Sequence, residues 1–317
     1  MSARVIGQAL RGNKNLTYLN LSHNSIGDVG GKYLAIMLCR NRCLRDLDVS
    51  TNQIGDDGAS EFADFLELNP SEPEKVVNIT LQTLRLSKNA VGDDGALAFG
   101  KCLLNNHTLR ELWLDSNCFG DGGVAALARG VQENDGLHVL DLGRNIIGPK
   151  GVSFFGKALR VNKHLRRLGL SGTETGDEGV QAIATGMVKH NKALVELNLS
   201  ESGIGDVALG ALSKVWAALN SGLRLRSVDL SANGITDEGV AVLCTALVRN
   251  PVAALAYLNL NFNRIGDIGA RGLSLCLASN KNLTMLHLRK NGISTQGAAA
   301  LKAAWIETGH KRTCLRL

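Results

Sequence analysis

The chain has 317 residues, 44% of them hydrophobic but only 4% aromatic, with a formal net charge of +6. That apolar content is ample for a large core, and the scarcity of aromatics points to one built from Leu, Ile, Val and Ala. No run of 18 apolar residues occurs, so no membrane span is expected, and the opening stretch is too weakly apolar for a secretory signal. Seven cysteines form an odd set without a Cys-x-x-Cys pair. They read as free thiols of a reducing compartment, so a cytoplasmic protein is expected.

In chain order, Ile6 and Leu10 share one helical face, and residues 1–15 read as the helix of a partial unit. At Leu16 a frame begins: Leu-x-x-Leu-x-Leu, then Asn, then Ile-Gly-Asp-x-Gly. It returns at Leu44, Leu81, Leu109, Leu137, Leu165, Leu194, Leu225, Leu255 and Leu283, at intervals of 28, 37, 28, 28, 28, 29, 31, 30 and 28 residues. A period of this size marks a leucine-rich-repeat solenoid, in which each unit touches only its neighbours.

Within a unit, alternation in Leu-x-x-Leu-x-Leu predicts a short strand with the leucines inward. The Asn that follows (Asn24, Asn52, Asn89, Asn117, Asn145, Asn233, Asn263, Asn291) is suited to bonding backbone groups left unpaired at a turn. Thr173 and Ser202 take its place in the sixth and seventh units, where the ladder is expected to weaken. Gly is expected to permit the tight turn, and Asp to stand as the helix N-cap. An i, i+4 apolar pair such as Phe62 and Leu66, or Phe99 and Leu103, predicts the buried stripe of a helix. Trp216 and Trp305 fall on that stripe and read as core. Sequons such as Asn106-His107-Thr108 arise because the repeat itself places Asn ahead of a Leu strand. The second unit carries nine extra residues, and their Pro and charged residues, within 69–77, predict a loop. Residues 312–317 read as a partial eleventh strand.

The expected fold is α/β: a horseshoe solenoid with a parallel sheet on the concave face and helices on the convex face. Residues 1–317 are expected to form a single domain, with ten repeats over 16–311. Neither end shows a polar cap, so end-to-end self-association or a continuation of the solenoid is expected.

With strand, Asn, Ile-Gly-Asp-x-Gly and a full helix in each unit, nearly the whole chain resembles the ribonuclease-inhibitor-like class of leucine-rich repeats. That class includes ribonuclease inhibitor, the Ran GTPase-activating protein and the sensor regions of NOD-like receptors. The resemblance implies architecture rather than activity. Ribonuclease inhibitor is acidic and Cys-rich, and the Ran activator carries an acidic tail; this chain is basic and ends His310-Lys311-Arg312-Thr313-Cys314-Leu315-Arg316-Leu317.

Function is expected on outward strand positions. A central concave patch gathers Arg85, Lys88, Glu111, Trp113, Asp115, Asp141, Arg144 and Arg167. A Trp on the solvent side of a strand, set among arginines, has the composition of an interface hot spot. A C-terminal patch gathers Tyr257, Asn259, Phe262, Met285, His287, Arg289 and Lys290. Acids collect on the strand-to-helix turns and bases on the opposite edge, largely complementing the helix dipoles. The basic edge also offers a surface for an acidic protein tail; without interleaved aromatics, nucleic acid is not expected. The seven histidines are scattered, with no paired carboxylates or His-Glu-x-x-His spacing, so no catalysis, metal or cofactor is expected. The reading is a non-enzymatic scaffold binding a protein partner. The alternatives are a GTPase activator like that of Ran, and a structural subunit of a cytoskeletal or flagellar assembly, which would place the chain at the cytoskeleton.

Overall fold

A computed structural model describes residues 3–68, 76–188, 190–219, 222–309 and 314–317. Most of the inserted loop in the second unit, together with Lys189, Lys311 and Arg312, lies outside the described residues. Backbone packing groups the chain into two compact units: Met1–Ile147 with Val161–Arg167, and Gly148–Arg160 with Leu168–Leu317.

The first unit alternates α1 (Ala3–Leu10), β1 (Tyr18–Asn20), α2 (Gly27–Arg40), β2 (Asp46–Asp48), α3 (Asp56–Leu66), β3 (Thr83–Arg85), α4 (Asp93–Asn105), β4 (Glu111–Trp113), α5 (Asp121–Glu133) and β5 (Val139–Asp141). Its strands pair in chain order, all parallel, with Leu19, Leu47, Leu84, Leu112 and Leu140 in one row. The second unit holds α6 (Pro149–Val161) but for its last residue, β6 (Arg167–Gly169) but for its first, α7 (Gly176–Met187), β7 (Glu196–Asn198), α8 (Asp206–Ala217), β8 (Ser227–Asp229), α9 (Asp237–Arg249), β9 (Tyr257–Asn259), α10 (Asp267–Ser279), β10 (Met285–His287), α11 (Thr295–Glu307) and β11 (Leu315–Arg316). Here Leu197, Val228, Leu258, Leu286 and Leu315 form the equivalent row. The chain is an α/β solenoid of leucine-rich repeats.

The core follows the expected stripes. Phe62, Leu66, Phe99, Leu103, Phe155 and Leu159 are wholly buried, as is Trp305, while Trp216 is 3% exposed. Each large apolar side chain so buried contributes about 1.5–3 kcal/mol. Cys39, Cys102, Cys244 and Cys276 are buried within this packing, and Cys118 is exposed.

The Asp of each turn caps a helix, but not its own. In α3, α4 and α5 it is the first helical residue, and the N-cap is Gly55, Gly92 or Gly120 without a side-chain bond. The carboxylate reaches forward instead. Asp28 Oδ1 accepts from Gly55 N at 2.7 Å and Gly58 N at 2.9 Å; Asp56 accepts from Gly92 and Gly95, and Asp93 from Gly120 and Gly123. Each acid therefore caps the helix of the following repeat, where orphaned N–H groups need an acceptor.

That arrangement also corrects the reason for glycine. Gly27 and Gly176 do adopt positive φ, at 58° each. Gly55, Gly92 and Gly120 are extended, and their need is space: a Cβ at Gly92 would stand 2.8 Å from Asp56 Oδ2, and one at Gly95 2.9 Å from Asp56 Oδ1. In the seventh repeat Ala208 replaces the second glycine, and its N–H to Asp177 Oδ1 lengthens to 3.2 Å.

The predicted asparagine ladder is present. Asn89 Oδ1 accepts from Asn52 N and Ile54 N, while Nδ2 donates to Val49 O and Leu86 O. At its interruption the hydroxyls keep the donor side: Thr173 Oγ1 donates to Leu170 O at 2.8 Å, and Ser202 Oγ reaches back to the same carbonyl at 3.0 Å. A second, buried ladder runs along the other edge. Asn134 Nδ2 donates to Leu103 O and Asn106 O, and its Oδ1 accepts from Gly136 N and Leu137 N. Asn41, Asn78, Asn106, Asn162, Asn191 and Asn280 stand at the same place and are also buried.

Candidate interaction surface

The outward side chains of β2 to β5 meet in register, with Asp48, Arg85, Trp113 and Asp141 in one row and Asp46, Thr83, Glu111 and Val139 in the next. Arg85 binds the row together. Its Nη1 donates to Asp46 Oδ1 at 2.5 Å, and its Nη2 lies 3.9 Å from Glu111 Oε2. Trp113 Nε1 donates to that same Glu111 oxygen at 3.1 Å. The indole face receives two guanidiniums: Arg85 Cζ at 5.9 Å and Arg167 Cζ at 5.2 Å from the ring centroid. Trp113 is thus half-buried rather than freely exposed. Such cation–π contacts are each worth about 0.5–1 kcal/mol at a partly exposed site.

Carboxylates in this patch sit in a costly setting. Burial pushes the Asp141 carboxyl above the ordinary range; Gly143 N, donating to Oδ1 at 3.1 Å, opposes this, neighbouring Asp115 adds to it, and Arg167 again opposes it. Asp46 is likewise raised, chiefly by burial, against the pull of Arg85. Asp115 accepts a short hydrogen bond from Ser87 Oγ. Lys88 and Arg144 stand at the edge of the patch, exposed, on left-handed backbone with φ of 54° and 55°. That conformation recurs at the residue just before the ladder asparagine, where the chain leaves the strand and turns its side chain outward. All eight predicted residues of the central patch therefore lie within the first unit. Asp46 and Ser87 were missed; Asp46 stood in the outward column, and Ser87 needs the rotamers to be seen.

The C-terminal patch is less open than its sequence implies. Phe262, Arg289 and Lys290 are exposed and Tyr257 and Met285 half-buried, but Asn259 and His287 are 9% and 7% exposed. Asn259 Nδ2 is held by Asp229 Oδ2 at 2.8 Å. Tyr257 packs edge-on against His287 with ring centroids 5.3 Å apart. Burial, then the charge of Arg316, holds the His287 imidazole below its usual value. Its Nε2 is buried without a partner among the described residues. Asp229 of β8 and Arg316 of β11 flank Asn259 and His287 in register.

Among the described residues no group of three His, Cys, Asp or Glu side chains is placed to hold a metal ion, and no helix is long and apolar enough to cross a membrane. What the strand face offers is an array of aromatic, guanidinium and carboxylate groups.

Residues 12–35, 40–63, 77–100, 105–128, 161–184, 190–213, 225–244, 255–274 and 279–302 match the leucine-rich repeat family. The chain belongs to the leucine-rich repeat family. Among curated relatives it is similar to human NACHT, LRR and PYD domains-containing protein 14, 33% identical over 150 residues, covering 39% of this chain and 14% of the relative. A similar match to human NACHT, LRR and PYD domains-containing protein 3 is 28% identical and covers 36% of this chain and 14% of the relative. Tonsoku-like protein of Danio rerio is 34% identical over 136 residues, covering 40% of this chain and 9% of the relative. The chain thus matches only a small part of each relative's length. Among solved structures, an internalin from Listeria monocytogenes covers 93% of this chain and 86% of its own at 18% identity with a TM-score of 0.43. The leucine-rich repeats of the chain mark it as a protein-interaction scaffold.

Proposed function

We propose that the chain is a non-enzymatic, cytoplasmic scaffold that binds a protein partner through the outward side chains of its strands. The observation that carries this reading is Trp113, half-buried between two guanidiniums with its indole N–H on Glu111. A large aromatic flanked by arginines and rimmed by carboxylates is the composition in which truncation costs an interface most. The raised Asp141 and Asp46 carboxyls support it, since strained ionisation collects at functional sites. The principal contact comprises Arg85, Lys88, Glu111, Trp113, Asp115, Asp141, Arg144 and Arg167. Tyr257, Phe262, Met285, Arg289 and Lys290 form a second contact, with Asn259 and His287 beneath it. An acidic surface of the partner also meets the basic edge.

Affinity capture with the wild-type chain and with Trp113→Ala, each followed by mass spectrometry, tests the reading. A specific protein retained by the wild type and lost by Trp113→Ala is the expected result. Retention of the same proteins by both chains would remove the central patch from the interface.

A further inference from the structure

We propose that the strand-start edge of the first unit binds an extended acidic peptide segment of the partner, with carboxylates at every third residue. The proposal rests on the protein-binding reading above but concerns a different surface. One residue after each opening Leu stand Thr17, Arg45, Gln82, Arg110, His138 and Arg166. They are consecutive rungs of one backbone ladder: Arg45 N donates to Thr17 O at 2.8 Å, Gln82 N to Arg45 O at 2.8 Å, Arg110 N to Gln82 O at 2.7 Å, His138 N to Arg110 O at 2.8 Å and Arg166 N to His138 O at 2.8 Å. All six side chains are exposed except His138, which is half-buried.

Guanidinium and neutral rungs alternate. Neighbouring strands lie about 4.8 Å apart, so cations on every second rung recur at about 10 Å. A peptide in the extended polyproline II conformation advances about 3.1 Å per residue with three residues per turn, so every third side chain returns to the same face after about 9 Å. Acids at i, i+3 and i+6 of such a peptide laid across these rungs therefore meet Arg45, Arg110 and Arg166 in turn. His138 remains a neutral rung: burial, reinforced by Arg166, Arg110 and His164, lowers its imidazole against the pull of the Gly136 carbonyl.

The site is open, and among the described residues its charge is uncompensated. An open pocket of about 330 Å³ is bounded by Arg42, Arg45, Gln82 and Arg110, with Thr80 and Thr108 at its wall. Arg110 is oriented by a 2.8 Å bond from Nη1 to Gly136 O, leaving its other donors for a ligand. Arg45 and Arg166 have no carboxylate partner among the described residues. The nearby acid, Asp135, is already paired with His107 Nδ1 at 2.5 Å. Guanidiniums match carboxylates in geometry. No aromatic rung is present on which nucleic-acid bases could stack, which favours a peptide.

Exposed ion pairs are individually weak, so binding depends on all three in register and falls as salt rises. Fluorescence anisotropy with the full chain tests this, using a short labelled peptide with Glu at every third position and an isomer with the same Glu residues contiguous. At low salt the spaced peptide is expected to bind about fivefold or more tighter than its isomer, and about tenfold or more tighter to the wild type than to Arg45→Gln/Arg110→Gln/Arg166→Gln. Circular dichroism checks that this variant is folded; if it is not, Arg45→Gln alone, whose guanidinium has no carboxylate partner among the described residues, is expected to weaken binding about threefold. Equal affinity for both isomers, unchanged affinity in the folded variants, or tighter binding of a single-stranded oligonucleotide of equal charge would each overturn the proposal. Trp113→Ala is expected to leave peptide affinity unchanged, so a failure here and a failure of the strand-face reading are told apart.

Discussion

Trp113 shows how a residue can serve the fold and a partner together. Its indole touches two guanidiniums and bonds Glu111, so Trp113→Ala is expected to lower stability by about 1–2 kcal/mol. The same change is expected to cost about 2 kcal/mol or more of partner binding. Trp305→Ala, which opens a cavity in a wholly buried site, is expected to cost about 3–5 kcal/mol. Chemical denaturation of both variants checks the ranking. Asp141 makes a second case. Its folded carboxyl is raised above the ordinary value of 3.8 mainly by burial, so the unfolded chain loses the proton first as pH rises. Stability linked to the protonated form is present below that ordinary value and is lost as pH climbs towards the folded one. Asp141→Asn keeps an acceptor for Gly143 N and removes the buried charge. It is expected to raise the denaturation midpoint at pH 7, with the gain vanishing in acid. A gain of equal size in strong acid would show that ionisation is not its cause.

At the scale of the element, what stabilises one repeat is supplied by the next. Asp93 accepts from two N–H groups of the following helix, whereas Asp57 is an exposed acid on its own helix. Asp93→Ala is expected to cost about 1 kcal/mol and Asp57→Ala close to nothing. Asn134→Ala strands two carbonyls and two N–H groups that it alone satisfies in part, and is expected to cost about 2 kcal/mol or more by the same denaturation measurement. These bonds also set what could be read in advance. The strands, the helix stripes and the ladder of Asn52 and Asn89 follow from local periodicity, which a single chain displays. The ladder of Asn106 and Asn134 left its mark as an Asn three residues before the opening Leu, but its bonds join groups about 30 residues apart and show only once the repeats are stacked. The Asp was misplaced for the same reason: its partners lie in the next unit. In the patches, outward position was legible from alternation, but the closing of Asn259 onto Asp229 and of Arg85 onto Asp46 depends on side-chain rotamers that no spacing encodes.

At the scale of the molecule, the repeat frame runs through Leu137, Leu165 and Leu194 at intervals of 28 and 29 residues, with no linker-like stretch between them. In a solenoid, stability is a sum of repeat terms and nearest-neighbour terms, and unbroken neighbours make unfolding cooperative. We therefore propose that residues 1–317 behave as one domain although packing groups them into two compact units. The tryptophans provide the test. Trp113 belongs to the first unit, and Trp216 and Trp305 to the second. In Trp113→Phe, fluorescence reports on the second unit alone while circular dichroism reports on helices throughout the chain. Coincident denaturation midpoints by the two probes are expected for a single cooperative domain. A fluorescence transition displaced from the dichroism transition would instead make the two units separate domains, and would confine the Trp113 patch and the arginine ladder to a module able to unfold without the rest.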